Sequence, residues 1–188
     1  MSTGKYLQYL WRDKYIASIT PTSLSCVQQV CRTIDFSHRQ VIIEYGPGLG
    51  VFTDYLAERL SDDSLLLLIE RNDNFSDQLT NKYRTDSRIH VYHDSAEHVQ
   101  SLLAESGEAQ ADLVLSGIPF SFFPDQVRDT IVRSTREVLK DDGMFLAYQT
   151  FFQRDVHLKI YMERYFSRVR DTYYLRNLPP MRLYEALP

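Results

Sequence analysis

The sequence of 188 residues is poor in cysteine and has no long hydrophobic run. Its two cysteines, Cys26 and Cys31, are spaced neither as a redox pair nor as a zinc knuckle, so we expect buried, reduced thiols and no metal site. The longest aliphatic run, Leu65–Ile69, is far shorter than the about 20 residues that a membrane-spanning helix needs. The N-terminus also lacks the apolar core of a secretory signal peptide. We therefore expect a cytoplasmic protein.

The chain has no overall excess of basic charge, because its formal net charge is -4. Residues 1–40 carry five Lys/Arg and two Asp/Glu, a balance of +3, and residues 151–188 carry seven and four, again +3. The middle of the chain then holds nine against nineteen, or -10. A nucleic-acid-binding protein is usually basic overall, so we expect no nucleic-acid partner. The basic ends permit contact with an anionic surface, although solvated charge without a partner explains each end equally well.

The order of apolar segments predicts one α/β domain. From residue 41, short aliphatic runs alternate with longer amphipathic stretches, which is typical of strands joined by right-handed crossover helices in a mostly parallel sheet. Two short apolar segments near the C-terminus, separated by a Pro-Pro break, predict an antiparallel hairpin at the end of this sheet. The predicted strands are 41–43, 65–69, 89–92, 111–115, 144–148, 169–175 and 181–186, with a turn at 141–143 and helices near 52–60, 75–83, 96–104, 127–139 and 156–165.

A glycine-rich loop lies between the first predicted strand and the following helix. It begins at Glu44, and its glycines, Gly46, Gly48 and Gly50, allow a sharp turn and a close approach of a ligand to the backbone. Glu70 ends the next strand, where a carboxylate can accept hydrogen bonds from both ribose hydroxyls of an adenosine group. The G-x-G-x-G spacing differs from the dinucleotide pattern, and the charge of Glu44 suits a cationic sulfonium with an α-amino group. This chemistry favours S-adenosylmethionine over NAD.

Three segments resemble the first motifs of class I S-adenosylmethionine-dependent methyltransferases. Residues 41–53, VIIEYGPGLGVFT, share the Glu-x-Gly-Pro-Gly-x-Gly form of ribosomal RNA adenine dimethyltransferases and bacterial phospholipid N-methyltransferases. Residues 69–72, IERN, resemble the second motif in the form of the phospholipid enzymes, and residues 93–96, HDSA, resemble the third. The resemblance implies a Rossmann-like fold with a seven-stranded, mostly parallel sheet, helices on both faces, and S-adenosyl-L-methionine as cofactor. The implied cofactor-binding residues are Glu44, Gly46, Gly48, Gly50, Glu70, Arg71, Asp94, Ser95 and Ser116.

The fourth motif distinguishes between possible substrates. Adenine dimethyltransferases carry Asn-Leu/Pro-Pro-Tyr/Phe here, and the Asn side chain holds the target amine of a flipped base. In this sequence Gly117 stands in the place of that Asn, so the usual side-chain acceptor is missing. Residues 115–124, LSGIPFSFFP, resemble instead the Ser-Gly-Ile/Leu-Pro segment of the phospholipid enzymes. The implied catalytic residues are Ser116, Gly117, Ile118 and Pro119, and the implied substrate-binding residues are Phe120, Phe122 and Phe123. For Phe122 and Phe123, core packing explains the pattern slightly better than contact with acyl chains.

Mechanistically, an amine lone pair must be aligned with the sulfonium methyl group, and a protonated amine must first lose a proton. The backbone carbonyls of residues 116–118 and a nearby tyrosine are candidates for holding the amine. No His/Asp pair stands out, and we expect His93, His98 and His157 to be surface residues.

Both ends of the chain also resemble the phospholipid enzymes. Residues 6–17 predict an amphipathic helix with Leu7, Leu10 and Trp11 on one face and basic residues nearby, which suits a membrane interface. A helix that covers the cofactor site, or packs on the domain, explains the same pattern. Residues 176–184, RNLPPMRLY, resemble the Asn-Leu-Pro-Pro-x-x-x-Tyr tail of that family.

The sequence as a whole predicts an N-terminal helical extension, 1–40, and a catalytic domain, 41–188. The expected activity is N-methylation of a phospholipid headgroup amine of the phosphatidylethanolamine type, by a cytoplasmic enzyme in peripheral contact with an anionic membrane. The alternatives are an enzyme like the ribosomal RNA adenine N6-methyltransferases and a non-catalytic module that binds S-adenosylmethionine.

Overall fold

The computed structural model describes residues 23–150, 156–174 and 180–188, and its seven strands form one mixed sheet. The predicted N-terminal helix and residues 176–179 of the predicted tail lie outside the described residues. The strands are β1 Val41–Tyr45, β2 Leu65–Glu70, β3 Ile89–His93, β4 Ala111–Ser116, β5 Leu139–Thr150, β6 Arg168–Tyr174 and β7 Met181–Leu187. The helices are α1 Leu24–Val30, α2 Val51–Ala57, α3 Asp73–Tyr83, α4 Val99–Glu105, α5 Asp125–Val138 and α6 Val156–Tyr165, with 3-10 turns at Cys31–Thr33, Ala96–His98 and Phe120–Phe122.

The strand order in the sheet is β3-β2-β1-β4-β5-β7-β6. The first five strands pair in parallel, whereas β7 lies between β5 and β6 and pairs antiparallel with both. The predicted seven-stranded sheet with a C-terminal antiparallel hairpin is confirmed. The order reverses between β1 and β4, and in open α/β sheets such a point leaves a crevice beyond the carboxyl ends of the strands.

The two central hydrophobic strands are buried on both faces. Every residue of β1 and β2 is buried, as the continuous aliphatic runs predict for strands covered by helices on each side. Side chains of α4, α5 and α6 cover one face, and those of α1, α2 and α3 cover the other. A fully buried leucine such as Leu67 contributes about 1.5–3 kcal/mol relative to an exposed one, so the sheet core supplies much of the fold's stability.

The first described helix, α1, is part of this core. Ser23 caps it, since its side chain accepts a hydrogen bond from the Cys26 amide at 3.3 Å. Cys26 and Cys31 are both free and buried, as predicted, and the Cys26 thiol lies 3.5 Å from the Met181 sulfur. Burial raises the pKa of Cys26 to about 11 and that of Cys31 to about 12, so both remain protonated thiols. The division of the chain at residue 40 stays a prediction.

The beginning of β5 differs from the sequence prediction. The predicted turn at 141–143 lies within the strand, where the register with β4 shifts. Ala111 pairs with Leu139 and Leu113 pairs with Met144, so β5 advances five residues while β4 advances two. The three extra residues form a bulge, which a turn-like sequence accommodates without ending the strand. The predicted helix at 96–104 is likewise divided into a 3-10 turn and α4.

Candidate active site

A cavity of about 420 Å³ opens beyond the carboxyl ends of β1, β2 and β4, at the reversal of the strand order. Its volume is in the range of small-molecule and cofactor sites, about 300–1,000 Å³. Nine of the residues predicted from the sequence line it: Gly46, Glu70, Arg71, Asp94, Ser95, Gly117, Ile118, Pro119 and Phe123. The other six, Glu44, Gly48, Gly50, Ser116, Phe120 and Phe122, are not among its lining residues.

The glycine loop has a conformation that requires glycine. Gly46, Gly48 and Gly50 have φ angles of 65°, 57° and 76°, in the left-handed region that other residues rarely adopt. Space is short as well, because a Cβ on Gly46 would lie 2.7 Å from the Ile118 Cγ2 and one on Gly50 would lie 2.8 Å from the Tyr83 hydroxyl. At Gly46, the one of these three glycines that lines the cavity, the loop therefore presents bare backbone to it.

Glu70 joins this loop to the end of β2. Its Oε2 accepts a hydrogen bond from the Gly48 amide at 3.1 Å, and its Oε1 accepts one from the Asn72 amide at 2.8 Å. Burial raises the pKa of this carboxyl, although the backbone hydrogen bonds oppose that effect. Each oxygen keeps a further lone pair, so the carboxylate can still accept a hydroxyl hydrogen from a ligand.

Two buried polar atoms near the cavity lack partners among the described residues. Glu44 accepts a hydrogen bond from the Thr53 hydroxyl at 2.7 Å through Oε2, but its Oε1 has none, and neither has the Ser116 hydroxyl. Burial raises the pKa of Glu44 to about 8. An unsatisfied buried polar atom costs about 1–3 kcal/mol, so such atoms are rare outside sites that a ligand completes. An acidic oxygen with no partner fits a ligand that carries an ammonium group.

The third motif forms the opposite rim of the cavity. Asp94 Oδ1 accepts a hydrogen bond from the Ser95 amide at 2.6 Å and lies 2.7 Å from His98 Nδ1, which holds the pKa of the Asp94 carboxyl below its usual value. His93 and His98 are exposed, as predicted, yet each faces a carboxylate at this rim, since His93 Nε2 lies 2.8 Å from Asp73. The pairing of Asp94 with a histidine four residues later was not predicted, although this spacing is typical of a helical turn.

The segment after β4 places its three phenylalanines in different environments. Phe120 is fully buried and packs edge-on against Phe123, with ring centroids 6.2 Å apart. Phe123 lines the cavity, whereas Phe122 is 46% exposed. Core packing therefore accounts for Phe120, which leaves Phe122 and Phe123 accessible to a substrate.

Tyr148, near the end of β5, has the side chain that lies closest to the open side of Gly117, and it was not identified from the sequence. A Cβ on Gly117 would lie 2.7 Å from the Tyr148 Cζ, so the ring occupies the place of any side chain at that position. The ring also stacks on Phe52, with centroids 4.5 Å apart. Only the sheet brings these residues together, because they are far apart in the sequence.

Comparison with known proteins agrees with this geometry. The family model for "Ribosomal RNA adenine dimethylase" matches residues 18–114, which is 97 of 188 residues. An ornithine lipid N-methyltransferase of Singulisphaera acidiphila is 28% identical, and the alignment covers 96% of this chain and 91% of that protein.

Solved structures share the fold. The precorrin 8W decarboxylase of Methanobacterium thermoautotrophicum has a TM-score of 0.67 at 14% identity, over 90% of this chain and 93% of that one. A TehB-like SAM-dependent methyltransferase from Corynebacterium glutamicum has a TM-score of 0.65 at 14% identity, over 100% of both chains.

Proposed function

We propose that this chain, which belongs to the ribosomal RNA adenine dimethylase family and is an S-adenosylmethionine-dependent methyltransferase, transfers a methyl group to a lipid headgroup amine. The observation that carries this proposal is Gly117, which offers no side-chain acceptor to a base amine. The family match ends at residue 114, before the fourth motif, so it covers the cofactor half of the site and not the acceptor half. The similarity to a protein named as an ornithine lipid N-methyltransferase supports the same class of substrate.

Three acidic residues suit the groups of the cofactor. We assign the ribose hydroxyls to Glu70 and the adenine amino group to Asp94, which both line the cavity. We assign the α-amino group to Glu44, which lies near the end of β1 behind the lining residues and whose Oε1 lacks a partner among the described residues. The bare backbone at Gly46, which lines the cavity, accommodates the groups between them. When bound, S-adenosylmethionine supplies an activated methyl group, and nitrogen forms the new bond to carbon as the bond from carbon to sulfur breaks.

The acceptor is assigned to the segment that follows β4. Gly117 and Ile118 line the cavity and Ser116 directly precedes them, and the backbone carbonyl groups of these residues can accept hydrogen bonds from an alkyl amine. Phe122 and Phe123 add apolar surface that suits the part of a lipid next to its headgroup. We propose phosphatidylethanolamine as the type of acceptor, because its primary amine needs no planar stacking surface.

We also propose a peripheral membrane contact by the N-terminal extension, residues 1–40. No helix within the described ranges is long and apolar enough to cross a membrane. The extension carries a balance of +3, and each basic residue near an anionic surface contributes about 1 kcal/mol before screening. Co-sedimentation with anionic vesicles tests this: Trp11→Ala and a chain without residues 1–16 should pellet less than the intact chain. Equal pelleting of all three, or none, contradicts the proposal.

The substrate is tested by offering cofactor with a labelled methyl group to four acceptors in parallel. These are vesicles with phosphatidylethanolamine, vesicles with ornithine lipid, ribosomal RNA and free ethanolamine. We expect label in phosphatidylethanolamine and none with Glu70→Ala, which serves as the cofactor-site control. Label in ornithine lipid alone retains the lipid class and rejects the headgroup, whereas label only in RNA rejects the proposal. Binding of S-adenosylhomocysteine without any transfer identifies a non-catalytic module.

A further inference from the structure

Gly117 is a glycine for a steric reason and not for a conformational one. Its φ angle is not positive, unlike those of Gly46, Gly48 and Gly50, so the backbone would permit any residue. The restriction comes from Tyr148, because a Cβ on Gly117 would lie 2.7 Å from the Tyr148 Cζ and 3.3 Å from its Cε2. The missing Asn and the tyrosine are therefore two parts of one arrangement.

The ring of Tyr148 is held firmly in this place. Ser116 pairs with Ala147 in the register of β4 and β5, so Tyr148 lies level with Gly117. The ring stacks on Phe52 at an interplanar angle of 24°, and Phe52 is buried in α2 directly after the glycine loop. A ring fixed by a strand and a stacking partner can position its hydroxyl with little loss of entropy.

We propose that the Tyr148 hydroxyl replaces the missing Asn side chain as the acceptor for the substrate amine, and that the ring excludes a planar base. This inference rests on the proposed lipid N-methylation. Tyr148 is not itself among the lining residues, but its hydroxyl lies against Gly117, which does line the cavity, so an amine bound at Gly117 would be next to it. A hydroxyl oxygen can accept one N–H of an alkyl amine and so direct the nitrogen lone pair.

The hydroxyl acts by orientation and not as a base. Desolvation, together with the neighbouring acidic residues Glu44 and Glu70, raises the pKa of Tyr148 well above its ordinary value, so it stays neutral. The substrate ammonium loses one proton to water before transfer. Its lone pair then forms the nitrogen–carbon bond, the carbon–sulfur electron pair passes to sulfur, and the product is a methylated ammonium and a neutral thioether.

The test compares Tyr148→Phe with Tyr165→Phe, which removes a hydroxyl that binds Asp129 away from the cavity. We expect Tyr148→Phe to lower kcat for the lipid about 10- to 100-fold, because a hydrogen bond to a polar reacting group is lost. The affinity for S-adenosylhomocysteine should stay within about twofold in both variants, and Tyr165→Phe should keep its kcat. Unchanged kcat in Tyr148→Phe overturns the assignment while leaving lipid methylation intact.

A second pair of variants needs no methyl acceptor. Gly117→Asn should lower the melting temperature and weaken binding of S-adenosylhomocysteine, and Gly117→Asn combined with Tyr148→Ala should recover both. Failure of the double variant to recover, or full tolerance of Gly117→Asn alone, overturns the steric relation. Label in RNA adenine from the unaltered chain overturns both this inference and the proposed function.

Discussion

Glu44 should make cofactor binding depend on pH and release a proton. Its pKa is raised to about 8 by burial, so the carboxyl is mainly protonated at pH about 7. An ammonium group next to Oε1 requires the charged carboxylate, and binding must then expel the proton. With a pKa near 8, about nine-tenths of the chains hold that proton at pH about 7, so about 0.9 proton should be released per ligand bound. The affinity should rise about tenfold per pH unit between about 6 and 8 and level off above the pKa.

Calorimetry with S-adenosylhomocysteine in buffers of different ionisation enthalpy measures this release directly. Glu44→Gln should abolish the release and flatten the pH profile. Glu58→Gln removes an exposed carboxylate paired with Arg59 and should leave both unchanged. Equal heats in all buffers for the unaltered chain, or an unchanged profile in Glu44→Gln, would refute the reasoning.

The same group affects the stability of the free chain in a direction that follows from its raised pKa. Between about pH 4.5, where the unfolded carboxyl ionises, and pH about 8, the folded state binds more protons than the unfolded state. The stabilisation of the folded state by Glu44 is therefore fully present below the pKa that the carboxyl has in the unfolded state, and it is lost as the pH rises through the pKa that the carboxyl has in the folded state. The loss is on the order of 1 kcal/mol per pH unit within this window. Urea unfolding of the free chain and Glu44→Gln at both ends of the window measures it.

Three further changes have definite expected outcomes. Gly46→Ala should weaken binding of S-adenosylhomocysteine by about tenfold or more, because the left-handed backbone is strained and the new Cβ contacts Ile118. Gly107→Ala also places alanine on a left-handed backbone but in open space, so it should lower the free energy of unfolding by only about 1–2 kcal/mol and leave binding unchanged. Calorimetry measures the binding, and urea unfolding measures the stability. Glu70→Ala should reduce the same binding at least as strongly, because two loop amides lose their acceptor; unchanged calorimetric affinity would reject the ribose assignment. Leu67→Ala should lower the free energy of unfolding by about 2–5 kcal/mol, measured by urea unfolding, because Leu67 is fully buried. Leu24 is 69% exposed, so Leu24→Ala should lower it by less than about 0.5 kcal/mol. Similar losses in the two variants would contradict the described core.

The predicted strands were correct where the sequence pattern has one physical explanation. The run at 65–69 is too short for a typical helix and is typical of a strand covered on both faces, and β2 is buried throughout. The motif after β1 likewise predicted the sharp glycine turn, because left-handed turns and close approach both demand glycine, whereas the role of this loop in cofactor binding stays a prediction. The bulge in β5 was missed since a turn sequence does not reveal whether the chain reverses there or only bends.

The acceptor side of the site could not be read from local sequence. Gly117 indicated that a side chain was absent, but the residue that fills the space lies on the neighbouring strand, and only strand register brings Tyr148 there. The assignment of Glu44 to a cationic ligand stays a prediction, and the unpartnered oxygen that supports it depends on burial by the fold, which the local sequence does not show. The roles of residues 1–22 remain predictions.

The position of β7 constrains the order in which the chain can fold. Because β7 follows β6 in sequence yet lies between β5 and β6, β6 has no place in the sheet until β7 has been synthesised. Until then the long β5, which carries Tyr148, exposes an unpaired edge of the kind that pairs with other chains. On the ribosome, the antiparallel edge of the sheet is thus completed last, and chaperone protection matters most in that interval.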